Sequence, residues 1–291
     1  MISIEEGWED LTTALQGSGV RESVYVVGAT DSGKTTFCRY LVDTVARQEM
    51  AAYVDCDTGQ SWIGPPTTGG MAVYPRPSAP YLRFVGSTSP GGHFVQTLTA
   101  AKRLVEKADE LSVHTTVIDS PGIISGDVGA EFQFQMIDLL RPTRIVALQR
   151  GRELERLLAN FARHPGITIH RIAVSPAVVV RPATVRRRYR EERFRAYFSG
   201  AELQSVPLPG LGLQGRVPDP GNRRGIGGRL ISLNDPENFV IALGIVENLY
   251  PGRRVEVFAP PFDPAAVASL RFGSLYLDLD AEPGSMESFR H

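Results

Sequence analysis

The chain has 291 residues and a formal net charge of −1. It is therefore too long for one small core, and it lacks the overall basic field that is typical of polyanion-binding proteins. It shows no signal peptide and no apolar run long enough to span a bilayer. We expect a cytoplasmic protein without a membrane partner, built from one larger domain and a smaller one.

Residues 1–23 are expected to form a short segment that precedes the first strand, rather than a separate domain. Within it, residues 4–15 predict a helix that packs on the edge of a sheet. The two cysteines, Cys38 and Cys56, lie in the next helix and strand predicted along the chain. We interpret both as small buried hydrophobic residues rather than as a disulfide.

Residues 28–36 read Gly-Ala-Thr-Asp-Ser-Gly-Lys-Thr-Thr and fit the phosphate-binding P-loop pattern G-x-x-x-x-G-K-[ST]. An apolar run typical of a buried strand precedes the pattern at 24–27, and helical apolar spacing follows at 37–48. These flanks favour a P-loop over a chance glycine turn. The loop amides and the helix N-terminus would hold phosphates, Lys34 would reach the β- and γ-phosphates, and the Thr35 hydroxyl would hold Mg²⁺. The expected nucleotide-binding residues are Gly28, Thr30, Asp31, Ser32, Gly33, Lys34, Thr35 and Thr36.

A second predicted strand, residues 51–55, leads into Asp55-Cys-Asp57-Thr-Gly-Gln60. The carboxyl edge of an open α/β sheet holds the ligand. Asp57 is therefore expected near Lys34 and Thr35, close to Mg²⁺ and to any nucleophile that attacks the γ-phosphate. Turn chemistry alone explains the alternating aspartates equally well.

Residues 61–80 are rich in proline and glycine and predict a loop over the active face. Residues 81–85 predict another strand, and 94–111 a helix. Between them, residues 86–93 read Gly-Ser-Thr-Ser-Pro-Gly-Gly-His. This segment is either a second anion-binding loop or an ordinary turn with a helix N-cap.

An apolar run at 115–118 ends in Asp119-Ser-Pro-Gly122, the Walker B pattern of P-loop enzymes. Asp119 is therefore a candidate metal ligand together with Thr35 and Asp57. Further along, 131–140 and 153–162 predict helices, while 144–148 and 167–172 predict strands. This alternation predicts an α/β fold with a doubly wound parallel sheet.

Residues 181–198 contain seven arginines and predict a helix from Thr184 onward. Arg186, Arg190 and Arg193 would share one helix face. That face could close over a nucleotide as a lid and neutralise charge on the moving phosphoryl group. It could equally be a solvated basic face balanced by neighbouring glutamates at 191 and 192.

The last third of the chain predicts a small β-rich domain. Residues 201–225 predict a hinge or linker because they are rich in glycine and proline. Strands are predicted at 228–233, 239–246, 253–258 and 270–279. We therefore divide the chain into a P-loop domain with an arginine-rich lid at 1–200 and a C-terminal domain at 201–291.

Five segments of the chain together resemble the polynucleotide 5′-hydroxyl kinases. They are the P-loop, the Asp-x-Asp-x-Gly-Gln stretch at 55–60, the segment 84–91, the Asp-Ser-Pro-Gly stretch and the arginine-rich helix. The segment Ala-Leu-Gly-Ile-Val at 242–246 extends the resemblance to nearly the whole chain. It implies that Lys34 and Thr35 bind phosphates and Mg²⁺ and that Asp57 activates the 5′-hydroxyl. It also implies that Arg186 and Arg190 form the lid.

The resemblance places the substrate along two loops. Gln60, Thr67 and Thr68 would contact the substrate and the surroundings of the metal, and the polynucleotide end would pass Ser89 and His93. Many members carry a base-stacking tryptophan where this chain has Ile123, so stacking on the terminal base is expected to be weaker or supplied elsewhere. We expect no counterpart of the family's N-terminal β-domain before the P-loop.

The sequence therefore predicts an ATP-dependent kinase that requires Mg²⁺ and acts on the 5′-hydroxyl ends of RNA or DNA. Whether the protein uses other nucleoside triphosphates, and which protein partners it has, stay open. A regulatory GTPase is the first alternative, but its guanine-reading Asn-Lys-x-Asp is replaced by Gln149-Arg150-Gly151 after the strand at 144–148. A non-catalytic RNA-processing scaffold with a residual nucleotide site is the second. Lys34, Thr35, Asp57 and the paired arginines argue against it.

Overall fold

The computed structural model describes residues 7–16, 19–75, 79–218, 226–281 and 287–289. The helices of the described part are α1 (Trp8–Gln16), α2 (Lys34–Val45), α3 (Phe94–Glu110), α4 (Gly126–Leu140), α5 (Glu155–Leu158) and α6 (Ala183–Tyr197). Its strands are β1 (Glu22–Gly28), β2 (Ala51–Asp55), β3 (Thr68–Tyr74), β4 (Tyr81–Phe84), β5 (Thr115–Asp119), β6 (Arg144–Gln149), β7 (Thr168–Ala173), β8 (Glu202–Pro207), β9 (Gly212–Gly215), β10 (Arg229–Asn234), β11 (Val240–Tyr250), β12 (Arg254–Ala259), β13 (Ser269–Leu277) and β14 (Glu287–Phe289). None of the described helices combines the length and apolar character needed to cross a bilayer.

The first sheet has the strand order β4-β3-β2-β5-β1-β6-β7. From β2 to β7 all neighbouring strands run parallel. α1 and α2 pack on one face of this sheet, and α3, α4 and α5 pack on the other. The doubly wound α/β fold is therefore confirmed. Its carboxyl edge carries the P-loop after β1 and one aspartate at the end of each of β2 and β5.

Both faces of the first sheet are buried along its central strands β1, β2 and β5, which are largely apolar, whereas the edge strand β7 is partly exposed. Val24 and Val26 face the helix pair α1 and α2, whereas Tyr25 faces α4 and donates a hydrogen bond to Gln133 at 2.6 Å. α1 packs on α2 through Trp8, whose ring centre lies 5.0 Å from that of Phe37. The predicted helix at 4–15 is thus confirmed from residue 8, and residues 1–6 lie outside the described part. Both cysteines are buried free thiols, as expected.

The second sheet has the order β14-β13-β10-β11-β12-β8, and β9 pairs with β13. All neighbours along the main path are antiparallel, while β9 runs parallel to β13. This sheet is anchored to the first at β4. The Arg83 guanidinium donates to the carbonyls of Glu237 at 2.9 Å and Asn238 at 2.6 Å, and Ser274 donates its backbone N–H to the carbonyl of Gly86. The β-rich second unit is confirmed, and the boundary at residue 200 stays a prediction.

Two segments that composition assigns to loops contain strands. The expected loop at 61–80 includes β3, which pairs with β2 and β4. A side chain at Gly70 would lie 2.6 Å from Ile63 Cγ2, so this strand needs its glycines for close packing. The expected linker at 201–225 includes β8 and β9, and its residues 219–225 lie outside the described part. α4 begins five residues earlier than expected, at 126 rather than 131, and α5 is limited to 155–158.

The arginine-rich helix is fixed to the second sheet by its last turns. Phe194 is fully buried, and it packs in one cluster with Phe84 of β4 and Leu243 of β11. We predict that Phe194→Ala lowers the free energy of unfolding by about 3–5 kcal/mol, because it leaves a cavity between the helix and the sheet. Urea unfolding followed by circular dichroism measures this change. Val185→Ala on the exposed side of the same helix is the matched control, and an equal effect of the two variants would contradict this packing.

Candidate active site

The P-loop has the backbone conformation that a phosphate cradle requires. Gly33 and Asp31 have positive φ angles of 87° and 55°, and α2 begins directly after Gly33. The Ser32 hydroxyl is buried and has no hydrogen-bond partner among the described residues. Lys34 donates to the carbonyls of its own loop, Gly28 at 3.0 Å and Ala29 at 2.9 Å. The lysine ammonium is therefore already held across the cradle in which a phosphate would bind.

Asp119 links the P-loop to the neighbouring strands. Its Oδ2 accepts hydrogen bonds from Thr35 Oγ1 at 2.6 Å and from the Tyr53 hydroxyl at 2.9 Å. Its Oδ1 is buried and has no partner within the described part of the chain. Burial raises the pKa of this carboxyl above its usual value, and the Lys34 charge opposes the rise. An unpaired buried carboxylate oxygen beside a threonine hydroxyl is a donor set that suits Mg²⁺.

The residues present fit a magnesium ion that is completed by phosphate and water. The described ranges hold no group of three or more His, Cys, Asp or Glu side chains that could bind a metal alone. Mg²⁺ does not need such a cage, because it usually keeps waters and takes one or two carboxylates plus substrate phosphates. Thr35 and Asp119 are in contact, and Asp57 lines the P-loop cavity with Thr35.

Asp55 shapes the turn that follows β2. It is 1 % exposed, and its Oδ2 accepts from Trp62 N at 2.6 Å, Ile63 N at 3.1 Å and Ser61 Oγ at 3.1 Å. Its Oδ1 accepts from Asp57 N at 3.0 Å. Burial and the Asp119 carboxylate raise the pKa of Asp55 to about 8, although the backbone N–H bonds oppose this rise. Its role is therefore structural: it closes residues 57–63, here called the acceptor loop, into a fixed shape.

Asp57 stands where two cavities meet. The first cavity, of about 210 Å³, is lined by the P-loop and by Asp57, Gln60, Trp62, Arg39, Arg181 and Tyr189. The second, of about 340 Å³, is lined by Asp57, Thr30, Asp31, Gly59, Gln60, Thr88, Ser89, Pro90, Pro121, Gly122, Ile123, Val180, Arg186 and Arg190. Asp57 Oδ1 also accepts from the N–H groups of Gly59 at 2.9 Å and Gln60 at 3.0 Å. The turn chemistry left open by the sequence is thus present, and it aims the carboxyl group at both cavities.

Some arginines of α6 form ion pairs with glutamates of the same helix, and others line the candidate site. Arg187 and Arg188 pair with Glu191 and Glu192 along the helix, as the solvated-face alternative requires. Arg186 and Arg190 instead line the second cavity.

Side chains of α6 and of the segment before it contact both the P-loop and the acceptor loop. Arg186 contacts Asp31 Oδ2 at 3.2 Å, and Arg181 donates to Gln60 Oε1 at 3.0 Å. Tyr189 donates to the Ser61 carbonyl at 2.9 Å. The start of α6 and the segment before it therefore lie against the nucleotide cradle, and the lid role of Arg186 and Arg190 stays a prediction.

Three of the expected substrate contacts are not in the cavities. Thr67 and Thr68 are fully buried, and Thr68 Oγ1 donates to the Pro65 carbonyl at 2.7 Å. Thr68 opens β3, so the pair belongs to the sheet rather than to a substrate loop. His93 precedes α3, and its Nε2 lies 3.1 Å from the Ser274 hydroxyl of the second sheet. Gln60, Ser89 and Ile123 do line the cavities, as predicted.

Sequence analysis missed four residues that line the P-loop cavity: Arg39, Trp62, Arg181 and Tyr189. Arg39 lies one helical turn after Thr36 on α2, and this spacing could have shown that it faces the nucleotide. Trp62 carries a weaker signal, as a tryptophan inside a Pro/Gly-rich segment. Arg181 and Tyr189 could be found only from the fold, because the route of residues 174–182 over the P-loop sets their positions.

Comparison with known proteins places this site in a family. A family model described as the P-loop of mRNA cleavage and polyadenylation factor CLP1 matches residues 28–200. A polyribonucleotide 5′-hydroxyl-kinase of Pyrococcus abyssi is 27% identical over 89% of this chain and 88% of its own length. The human polyribonucleotide 5′-hydroxyl-kinase Clp1 is 32% identical over 61% of this chain and 45% of its own length.

Among solved structures, the complex of Clp1p with Pcf11p superposes with a TM-score of 0.71 at 13% identity. The match covers 92% of this chain and 78% of that one. This likeness shows that the two proteins share a fold that includes both sheets.

The buried Asp55 carboxyl gives a pH prediction. With a folded pKa of about 8, it keeps a proton that the unfolded chain releases above about pH 4. Its contribution to stability is therefore complete below about pH 4 and is lost as the pH rises to 8. We expect Asp55→Asn, which cannot titrate, to reduce the fall in unfolding free energy between pH 5 and 7 by up to about 1.4 kcal/mol per pH unit. Urea unfolding at each pH measures the two slopes, and equal slopes would contradict the assignment.

Proposed function

The chain belongs to the CLP1 P-loop family of polynucleotide 5′-hydroxyl kinases, and on that premise we propose that it transfers the γ-phosphate of ATP to the 5′-hydroxyl end of a polynucleotide. The relatives at 25–32% identity are named polyribonucleotide kinases. We therefore take RNA as the acceptor and DNA as the comparison substrate.

The observation that carries the proposal is the position of Asp57 between the two cavities. One cavity is the P-loop cradle, which fits the phosphates of a nucleotide. The other has Arg186 and Arg190 on one wall and the serine-containing segment 88–90 on another, which suits a phosphodiester chain. A group that bridges donor and acceptor cavities has the position required of the residue that receives the acceptor proton.

Thr35 and Asp119 would hold Mg²⁺ in this account, and the ion would neutralise charge on the β- and γ-phosphate oxygens. The protein's own groups do the positioning. Lys34 exchanges the carbonyls of Gly28 and Ala29 for phosphate oxygens, since both are acceptors for the same ammonium protons. The P-loop amides and the start of α2 orient the phosphate chain.

Transfer itself is an in-line displacement. The 5′ oxygen forms a bond to the γ-phosphorus as the bond between that phosphorus and the β–γ bridging oxygen breaks. The hydroxyl proton passes to the Asp57 carboxylate, and the products are ADP and a 5′-phosphorylated chain. Arg186 and Arg190 donate to the oxygens on which charge accumulates. Asp31, which contacts Arg186, ties this lid arginine to the P-loop.

The geometry disfavours the GTPase alternative. Residues 149–151 lie at the end of β6, where a guanine-reading motif would be needed. Gln149 instead donates to Glu155 at 2.8 Å, and Arg150 donates to the Asp31 carbonyl at 2.7 Å. These side chains therefore stabilise the P-loop and its surroundings rather than offering an Asn-Lys-x-Asp set.

The test of the proposal is transfer of label from γ-labelled ATP to 5′-hydroxyl RNA and DNA oligonucleotides. We expect labelled 5′ ends with the wild-type protein and a loss of at least about 10²-fold with Lys34→Ala, because the variant lacks a cation at the developing charge. Lys102→Ala, at a partly exposed site on α3, is the matched control. Absence of transfer by the wild type, or full activity of Lys34→Ala, would refute the proposal.

The role of Asp57 predicts a separation between binding and transfer. We expect Asp57→Asn to slow transfer by about 10²–10⁴-fold, the contribution of a general base, while ATP affinity stays near wild type. Single-turnover assays and equilibrium binding of labelled ATP measure the two quantities. Asp138→Asn on the exposed face of α4 is the control. If ATP binding falls by the same factor as transfer, Asp57 acts on the metal instead.

A further inference from the structure

Trp62 is an unusually placed aromatic residue. It is 45% exposed, whereas the other tryptophan of the chain, Trp8, is 5% exposed and packs against Phe37 and Tyr40. Single exposed apolar residues are common and need no explanation by themselves. Trp62, however, lines the P-loop cavity together with Lys34, Asp57 and other residues of the site. An open indole beside a phosphate cradle is a surface on which a nucleobase can stack.

The backbone of Trp62 is fixed from two sides. Its N–H donates to the buried Asp55 carboxylate at 2.6 Å. On the outer side, Arg193 of the lid helix donates to the Trp62 carbonyl at 3.3 Å, and Tyr189 donates to the carbonyl of Ser61. The position of the residue is thus set before any ligand arrives, which lowers the entropy lost on binding.

The indole ring is held as well. The Arg39 guanidinium carbon lies 3.8 Å from the centre of the ring, a close cation–π contact. Arg39 is on α2, two turns into the helix that begins at the P-loop. The contact covers part of the ring and adds positive charge next to it, while 45% of the residue stays exposed.

The position of Trp62 on the acceptor loop indicates which ligand supplies the stacked base. Trp62 lines the first cavity and not the second, but Asp57 and Gln60 of the same loop line both. The acceptor loop therefore runs from the junction of the two cavities, where Asp57 receives the proton of the 5′-hydroxyl in the proposed function, to Trp62 in the first cavity. The wall of the second cavity at Ile123 offers only an aliphatic side chain. On the basis of that proposed function, we propose that Trp62 stacks on a base of the polynucleotide near its 5′-hydroxyl end, with Arg39 holding the indole in place.

Intrinsic fluorescence tests the contact directly, because the chain has only two tryptophans. A 5′-hydroxyl RNA oligonucleotide is titrated without ATP, and its binding is followed in parallel by anisotropy of a 3′ dye. We expect quenching in the wild type and in Trp8→Phe, and its loss in Trp62→Phe. Binding without quenching in the wild type, or quenching that persists in Trp62→Phe, would overturn the proposal. Quenching of Trp62 by ATP alone, without quenching by the oligonucleotide, would also overturn the proposal, because Trp62 would then stack on the adenine of ATP.

The energetic test uses the same binding assay. We expect Trp62→Ala to weaken oligonucleotide binding by about 5–150-fold, the range for loss of one base stacked on an aromatic ring, and Trp62→Phe to recover most of it. An oligonucleotide that lacks the bases of its first two nucleotides should bind wild type and Trp62→Ala equally. Leu139→Ala, at an exposed position of α4 outside both cavities, is the control and should leave binding unchanged. Equal loss for intact and abasic oligonucleotides would show a structural role instead. Neither test involves phosphoryl transfer, so each can fail while transfer succeeds, or succeed while transfer fails.

Discussion

The hydrogen bonds of the buried Asp55 carboxyl group determine the shape of the candidate site. Burying this group is unfavourable, and the bonds from the Trp62 and Ile63 amides and the Ser61 hydroxyl offset that cost. They also force the chain after β2 to turn back over the sheet edge. Asp57 thereby faces the P-loop, and the glycines of β3 can pair alongside β2. The catalytic and binding functions proposed for the acceptor loop all depend on this one buried acceptor.

A second network joins the acceptor side to the nucleotide side. Asp119, at the end of β5, accepts hydrogen bonds from the Thr35 hydroxyl in the first turn of α2 and from the Tyr53 hydroxyl of β2, so two neighbouring strands and the P-loop helix share one carboxylate. The lid helix closes the assembly from outside, with Arg186 on Asp31 and Tyr189 on the acceptor loop. Its far end is buried in the second sheet through Phe194. In the proposed function, the β-rich unit therefore holds the lid helix in place and supplies no residue to the two described cavities.

Features set by local sequence could be predicted, and features set by packing between distant segments could not. The P-loop, the strand ends with Asp57 and Asp119, and the lid helix each follow from a short pattern with a physical reason. β3 was missed because Gly69 and Gly70 suggest a loop, whereas in the strand Gly70 packs closely against Ile63 and Gly69 against Leu104. Thr67 and Thr68 were misplaced for the same reason. The Trp62 site needs the pairing of the acceptor loop with α2, a contact between segments that no local pattern encodes.

The central claim is that Asp57 receives a 5′-hydroxyl end at the junction of two cavities. A crystal structure with a non-hydrolysable ATP analogue, Mg²⁺ and a 5′-hydroxyl oligonucleotide tests it most directly, through the distance between the 5′ oxygen and the Asp57 carboxylate. The account predicts about 2.6–3.2 Å, with the 5′ oxygen in line with the γ-phosphorus. A 5′ end bound outside hydrogen-bonding reach of Asp57, with the analogue seated in the P-loop, would contradict it.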